Sequence, residues 1–337
     1  MRILVWHVHG SWTTAFVQGR HEYLVPVLPD RGPDGRGRAQ TWDWPASVRE
    51  LSPNALRQSE PDLVVLQRPH ELDLVEQWTG RRPGLELPAV YLEHNTPGGN
   101  VPFSRHPLAD QDRIPIAHVT HFNRMIWDCG GAPTCVVEHG IPDPGYRYTG
   151  DLGRAAVVVN DPLRRGRAVG ADLVAELAEA VPVDLFGMGA EAFARQLELD
   201  DRLRSFDDVP QGQMHDQLAR RRVYVHTARW TSLGLSLVEA MQLGMPVVAL
   251  AATEAVRAVP PSAGVLASSP EELVAATVQL VHDPDGARVS GRQARTEALR
   301  RYGLERFLAD WEAVLAAAVT SSGITKDWSV SARDAER

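Results

Sequence analysis

The run from Arg229 to Leu250, R-W-T-S-L-G-L-S-L-V-E-A-M-Q-L-G-M-P-V-V-A-L, allows one local structure: a loop, a helix, a stop and a buried strand. Leu237, Val238 and Met241 recur at the spacing of a core-facing helical stripe, Gly244 followed by Pro246 ends the helix, and Val247 to Leu250 is a short apolar strand. The helix is expected to start near Ser232 or Gly234. The backbone N–H groups of Gly234, Leu235 and Ser236 then have no intrahelical acceptor, and Gly234 lets a bulky anion approach. Glu239, three residues after Ser236 and four after Leu235, is expected beside that opening and off the core stripe. A phosphate at the amides and a sugar diol at the carboxylate would fit together.

The rest of the chain sets bounds on what such a site serves. Its 337 residues suit two domains of ordinary size. Hydrophobic content of 44% and charged content of 23% are those of a soluble globular protein, and no apolar run approaches the ~18 to 20 residues of a membrane span. A formal net charge of −8 argues against nucleic acid or an anionic membrane as the main partner, since both need a basic field. Lys326 is the single lysine, so arginine stands for cation almost everywhere. The first residues, R-I-L-V-W, read as a strand rather than a signal peptide, which predicts a cytoplasmic protein. Cys129 and Cys135 match no zinc or redox spacing and are expected to be reduced and structural. No internal repeat, metal motif or signal of oligomeric state is legible.

Taken in order, residues 2 to 6 form a strand and His7 to Trp12 the turn where an α/β fold puts its ligand loop. Residues 15 to 28 read as strands or a hairpin, and Pro29 to Gln40 as a mobile Gly/Pro/Arg-rich loop. Trp12, Trp42 and Trp44 are either core anchors or flat faces for a sugar ring or aromatic acceptor. Helices at 46 to 57 and 70 to 79 flank the strand Leu63 to Leu66. The strand Ala89 to Leu92 leads into a loop of more than twenty residues that opens with His94, a length usual in functional loops. His118 and His121 read as structural. Residues 134 to 138 close the first half, with Tyr146 to Leu152 as linker. Beyond it, strands at 155 to 159, 183 to 186 and 223 to 226 alternate with helices at 169 to 180, 190 to 197 and 213 to 220. That alternation predicts a parallel, doubly wound sheet. Helices follow at 270 to 283, 285 to 301 and 304 to 319. The tail 320 to 337 is polar and aperiodic and is expected to be disordered.

The run G-L-S-L-V-E-A-M-Q-L-G-M-P-V-V-A resembles the signature of glycosyltransferase family 4, E-G-F-G-L-x-x-x-E-A-M-x-x-G-x-P-V-V-A. The match runs from Gly234 to Ala249, and Thr231 stands in place of the first glutamate. The resemblance implies an α/β chain of two Rossmann-like domains facing a cleft, the GT-B architecture: 1–147 on the acceptor side, 148–319 binding the nucleotide sugar, with the last helix packing back on the first. It implies a retaining, metal-independent hexosyltransferase with a nucleotide-diphosphate sugar as co-substrate and no other cofactor. The segment V-V-V-N-D-P-L-R-R-G resembles the family's V-G-R-x-x-x-x-K-G, where arginine and lysine hold the donor diphosphate. Asn160 takes the arginine's place and Arg165 the lysine's, with Arg164 and Arg167 near enough to share the task. By the same carry-over Gly10 faces the donor phosphates and Val209 the nucleobase. Glu239 then holds the ribose, Thr231 and Ser232 lie at the hexose, and His94 lies against the transferred sugar. Gly187 to Gly189 resembles the family's G-x-G-P turn, and E-H-G-I-P-D-P at 138 to 144 its interdomain element. The acceptor, the donor's base and sugar, and the pathway stay open. So do two other readings: a sugar-nucleotide epimerase of the same fold, and a catalytically silent binder suggested by the lost glutamate.

Overall fold

The computed structural model describes residues 1–40 and 42–321. The chain divides into two compact units. One comprises Met1–Ile141 with the chain from Leu304 onward, the other Pro142–Gly303. The division falls six residues before the expected 147/148 boundary, and the helix Leu304–Ser321 is counted with the first unit.

The first unit is built on seven parallel strands, β1 (Arg2–Val5), β2 (Glu22–Pro26), β3 (Val48–Leu51), β4 (Leu63–Leu66), β5 (Ala89–Glu93), β6 (Ile116–His118) and β7 (Thr134–Val136), in the order 3-2-1-4-5-6-7. Alternate residues feed two cores. Ile3, Val5, Tyr23, Leu63, Val65, Val90 and Leu92 face one side, and Leu4, Leu24, Val64, Leu66 and Tyr91 the other. Near-continuous apolar strands are what a parallel sheet covered on both faces requires. Phe307, Trp311, Val314 and Leu315 of the helix Leu304–Ser321 are buried in the first of these cores with Trp12 and Phe16.

The second unit holds six parallel strands, β8 (Leu152–Val158), β9 (Val183–Phe186), β10 (Leu203–Phe206), β11 (Arg221–His226), β12 (Val247–Leu250) and β13 (Gly264–Ala267), in the order 10-9-8-11-12-13. The helix opened by the signature runs Leu235–Leu243 and ends at Gly244, whose φ of 89° is the left-handed stop that glycine takes without strain.

Several local expectations change. Residues 15 to 28 are not a hairpin: a helix Gly10–Phe16 precedes β2, because the aromatic pair Trp12 and Phe16 is spaced i, i+4 and buried on one helical face. Residues 46 to 57 split into β3 and a helix Pro53–Ser59, whose start is set by Ser52 accepting from the Ala55 N–H and by Pro53 in the first turn. The expected linker is shorter, since Leu152 already opens β8. Pro29 to Gln40 is held rather than loose: Trp6 Nε1 donates to the Asp34 carbonyl at 3.1 Å, Arg38 donates to the Trp44 carbonyl at 2.6 Å, and Arg31 pairs with Glu50 at 3.0 Å. Thr320 and Ser321 close the last helix, and the rest of the expected disordered tail lies outside the described residues.

Candidate functional site

In the second sheet β8 and β11 lie side by side, but the chain leaves β8 for β9 on one side and β11 for β12 on the other. The gap beyond their carboxyl ends is the topological switch point, where open α/β sheets bind ligands. The two loops that emerge there are tied together. Arg229 N and Trp230 N both donate to the Ala168 carbonyl at 2.9 Å, and Thr227 Oγ1 donates to the Val169 carbonyl at 2.8 Å. Gly170 makes the approach possible: with φ at 71°, an added Cβ would stand 2.0 Å from the Thr227 carbonyl oxygen.

Among the basic residues of the first loop, the structure separates one from the rest. Arg164 pairs with Asp161 at 2.7 Å, and Arg167 with Asp172 at 2.7 Å. Arg229 grips the same Asp172 through two bonds of 2.6 and 3.0 Å. Burial raises the Asp172 carboxyl, but these guanidiniums outweigh it and hold it below its usual pKa. Arg165 is half-buried, and its guanidinium makes no hydrogen bond or ion pair with the described residues. Burial first and the charge of Arg164 second lower its pKa. Asp161 acts on it only through space, and a desolvated guanidinium without a hydrogen-bonded partner is a place for an anion. Arg164 and Arg167, both exposed, are thus each engaged with an aspartate, while Arg165 is not. Asn160 Oδ1 takes the Met188 N–H at 3.0 Å and so fixes the Gly187 to Gly189 turn, which leaves Nδ2 of this exposed residue as its donor.

The second loop leads to the helix Leu235–Leu243, capped by no side chain and with no acidic residue in its first turn. Leu235 and Ser236 are part-exposed there. Gly234 is needed for a reason the sequence did not show, since a Cβ would fall 2.5 Å from His226 Cε1. His226 and Tyr224 floor the helix start, Tyr224 OH meeting Ser236 Oγ at 2.9 Å. Burial lowers the His226 pKa to about 4, so the positive end of the helix dipole faces a neutral ring.

Glu239 stands differently from the expectation. The helix is buried on every side from Leu237 to Leu243, not only along a stripe, and Glu239 is 5% exposed. Its carboxylate is held by Gln211, whose Nε2 donates to Oε1 at 2.9 Å, with His215 Nε2 at 3.4 Å from Oε2, too far for a good hydrogen bond. Gln211 and His215 are four apart on the helix Gln211–Leu218 and so share a face. Val209, part-buried, lies two residues before the start of that helix. Ser232 is nearly buried, while Thr231 is part-exposed.

The first sheet has its own switch point, between β1 and β4. His94, at the end of β5, is buried there, its ring 3.9 Å from that of His9 and 6.5 Å from that of His139. Gln67, next after β4, is 3.1 Å from His94 Nε2. Burial and the neighbouring imidazoles hold His94 well below its usual pKa, while burial brings His9 to about 4 and His139 to about 3. Reasoning from sequence picked His94 and missed His9, Gln67 and His139. Their shared position just beyond strand ends was the available signal.

Two aromatic candidates are core residues. Trp12 is 2% exposed and packs on Phe16, Phe307 and Trp311; Trp44 is 5% exposed and donates from Nε1 to Thr14 Oγ1 at 2.9 Å. Neither has a face left for an acceptor. Trp42 is part-buried and covers Gly10, where a Cβ would stand 2.0 Å from its Cζ3, so the indole fills the space assigned to a donor phosphate at Gly10. Cys129 and Cys135 are free thiols, each pushed to about 11 by burial. Among the described residues, no cluster of three or more His, Cys, Asp or Glu is arranged to hold a metal, and no helix is long and apolar enough to cross a membrane.

Comparison with known proteins adds to this geometry. Residues 176–297 match the model of Glycosyl transferases group 1. No curated protein matches the sequence. Among solved structures, sucrose-phosphate synthase from Thermosynechococcus elongatus is 14% identical with a TM-score of 0.72, covering 95% of this chain and 100% of that one. Anabaena HepE in complex with UDP is 16% identical with a TM-score of 0.68, covering 94% and 100%. A Rickettsia africae glycosyltransferase is 11% identical with a TM-score of 0.67, covering 94% and 98%. At such identities the likeness is one of fold. Residues 176–297 thus match the Glycosyl transferases group 1 model, in a chain whose two parallel α/β units have the fold of GT-B glycosyltransferases.

Proposed function

We propose that this chain is a retaining hexosyltransferase that takes its sugar from a nucleotide-diphosphate sugar and works without a metal. The observation that carries the reading is that the loop following Arg165 is tied, at Ala168 and Val169, to the loop that leads into the helix Leu235–Leu243, with the Arg165 guanidinium unpaired and the helix start uncapped. Breaking the bond from the anomeric carbon to phosphate moves an electron pair onto the diphosphate. Donors aimed at that charge supply the largest catalytic term, and Arg165 with the Leu235 and Ser236 amides are those donors. Glu239, fixed through Oε1 by Gln211, offers Oε2 to the ribose diol. The acceptor oxygen bonds to the same face of the anomeric carbon that the phosphate leaves, and the acceptor proton passes to the departing phosphate. No protein nucleophile is needed. His94 accepts a hydrogen bond from a sugar hydroxyl as charge develops.

Anabaena HepE has been obtained with UDP and with UDP-glucose, so uridine donors come first in the test. Incubation with UDP-, GDP-, ADP- and dTDP-sugars, with free nucleotide measured and the anomer of the product read by proton NMR, decides the matter. Slow nucleotide release with retained configuration supports the transferase. A new sugar nucleotide would make the protein an epimerase, and binding without turnover a silent binder. Loss of activity in EDTA, restored by magnesium, would overturn metal independence.

A further inference from the structure

The histidine cluster of the first unit contains a constraint on proton position. Gln67 is 4% exposed and its amide sits between two groups of known character. On one side the Trp6 carbonyl oxygen lies 2.7 Å from Gln67 Nε2, and a carbonyl only accepts, so the amide nitrogen must face it. On the other side the amide oxygen, also only an acceptor, lies 3.1 Å from His94 Nε2. That nitrogen must therefore carry a proton. The Gln67 backbone is fixed as well, its N–H donating to Glu71 Oε2 at 2.6 Å, and Glu71 is fully buried. A flip of the amide would set N–H against N–H and oxygen against oxygen, leaving buried groups unpaired.

We propose that Gln67 is a positioning residue that locks His94 in the Nε2–H tautomer, so that Nδ1 is the ring's hydrogen-bond acceptor and the ring serves hydroxyl donors rather than an oxyanion. Burial supports a single ring proton, since the protonated form is disfavoured there by the loss of water and by His9 and His139. On the transferase reading, the hydroxyl that donates to Nδ1 belongs to a sugar. This last step rests on the transferase reading, whereas the tautomer does not.

The experiment reads the two separately. Full-length protein labelled with ¹⁵N-histidine, with the His94 signals assigned by comparison with His94→Gln, is expected to show a protonated, pyrrole-type Nε2 and an unprotonated, pyridine-type Nδ1. Gln67→Met, close in volume and unable to hydrogen-bond, is expected to mix the tautomers. A wild-type ring protonated at Nδ1, or a tautomer unchanged in Gln67→Met, would overturn the lock. UDP release from UDP-glucose is expected to fall about fivefold in kcat in Gln67→Met at unchanged KM, equivalent to about 1 kcal/mol. A lock present in a wild-type protein that turns over none of the sugar nucleotides would remove the transferase reading and leave the tautomer assignment standing.

Discussion

The two switch points occupy the same place in two similar sheets and differ in what they offer a ligand. In the second unit the crevice is electropositive and uses local pieces: a helix start, and a guanidinium left over after Asp161 and Asp172 have taken its neighbours. In the first unit it is neutral and assembled from four distant segments, with Gln67, His94 and His139 buried and His9 part-buried. Under the proposed function, the crevice of the second unit receives the donor's charge and that of the first unit reads hydroxyls.

The largest test of that contrast is charge removal. Arg165→Ala is expected to lower kcat about 100-fold, the scale for losing one donor to a developing anion. Arg164→Ala, whose partner is Asp161, should stay within about threefold, since exposed pairs contribute little. Comparable losses in both would mean that the pairing with aspartate does not separate them. Next in size is Glu239→Ala, expected to weaken nucleotide binding tenfold or more. Charge-assisted hydrogen bonds contribute roughly 1.5 to 3 kcal/mol and a decade of affinity is ~1.4 kcal/mol. Calorimetry with the free nucleotide diphosphate measures it, and unchanged affinity would put the ribose elsewhere.

Much of the second crevice was legible in the sequence because its chemistry follows from backbone and short spacing. A helix start needs Gly234 to Ser236 and nothing remote. The pairing that engages Arg164 and Arg167 depends on where Asp161 and Asp172 point, and the hold on Glu239 depends on a helix some 25 residues earlier. The first crevice was legible at His94 alone. Trp12 and Trp44 misled for a similar reason: glycines nearby suggested an open loop, while Trp12 lies on the helix Gly10–Phe16 and Trp44, outside any helix, packs into the same core.

Acid should also separate the units. Among the described residues His7, His9, His21, His94, His118 and His139 of the first unit have lowered pKa values, against His226 in the second. Burial is the largest cause in each. A histidine whose folded pKa lies below its unfolded value of about 6.5 leaves the unfolded chain holding more protons, so stability falls as pH drops below about 6.5. The fall continues to about 4 for His9 and about 3 for His118 and His139. Between pH 6.5 and about 4.5, above the carboxylate range, the first unit should lose the more stability. Amide exchange followed on peptides from 1–141 and from 142–303, corrected for intrinsic rate, measures this. Equal loss of protection in both would show that the buried imidazoles do not distinguish them.

The smallest expected effect bears on how sharply the second crevice reads the sugar itself. Thr231 stands eight residues before Glu239, where the resembling family has a glutamate, and it is part-exposed ahead of the helix start. A threonine has one hydroxyl, no charge and a short reach, so it cannot clamp a vicinal diol. Its neighbours do not make up the loss in full: Arg229 is committed to Asp172 through two bonds, and Ser232 is nearly buried. The nucleotide diphosphate should then supply most of the donor affinity, with loose discrimination among hexoses. Thr231→Glu is expected to change the preference between donor sugars by a few-fold, on the scale of one hydrogen bond of about 1 kcal/mol, and to leave the affinity for the free nucleotide diphosphate unchanged. Calorimetry with the nucleotide diphosphate and with two sugar nucleotides separates the cases. An equal change for all three would place Thr231 away from the sugar and leave hexose selection to groups outside the loop that ends at Gly234.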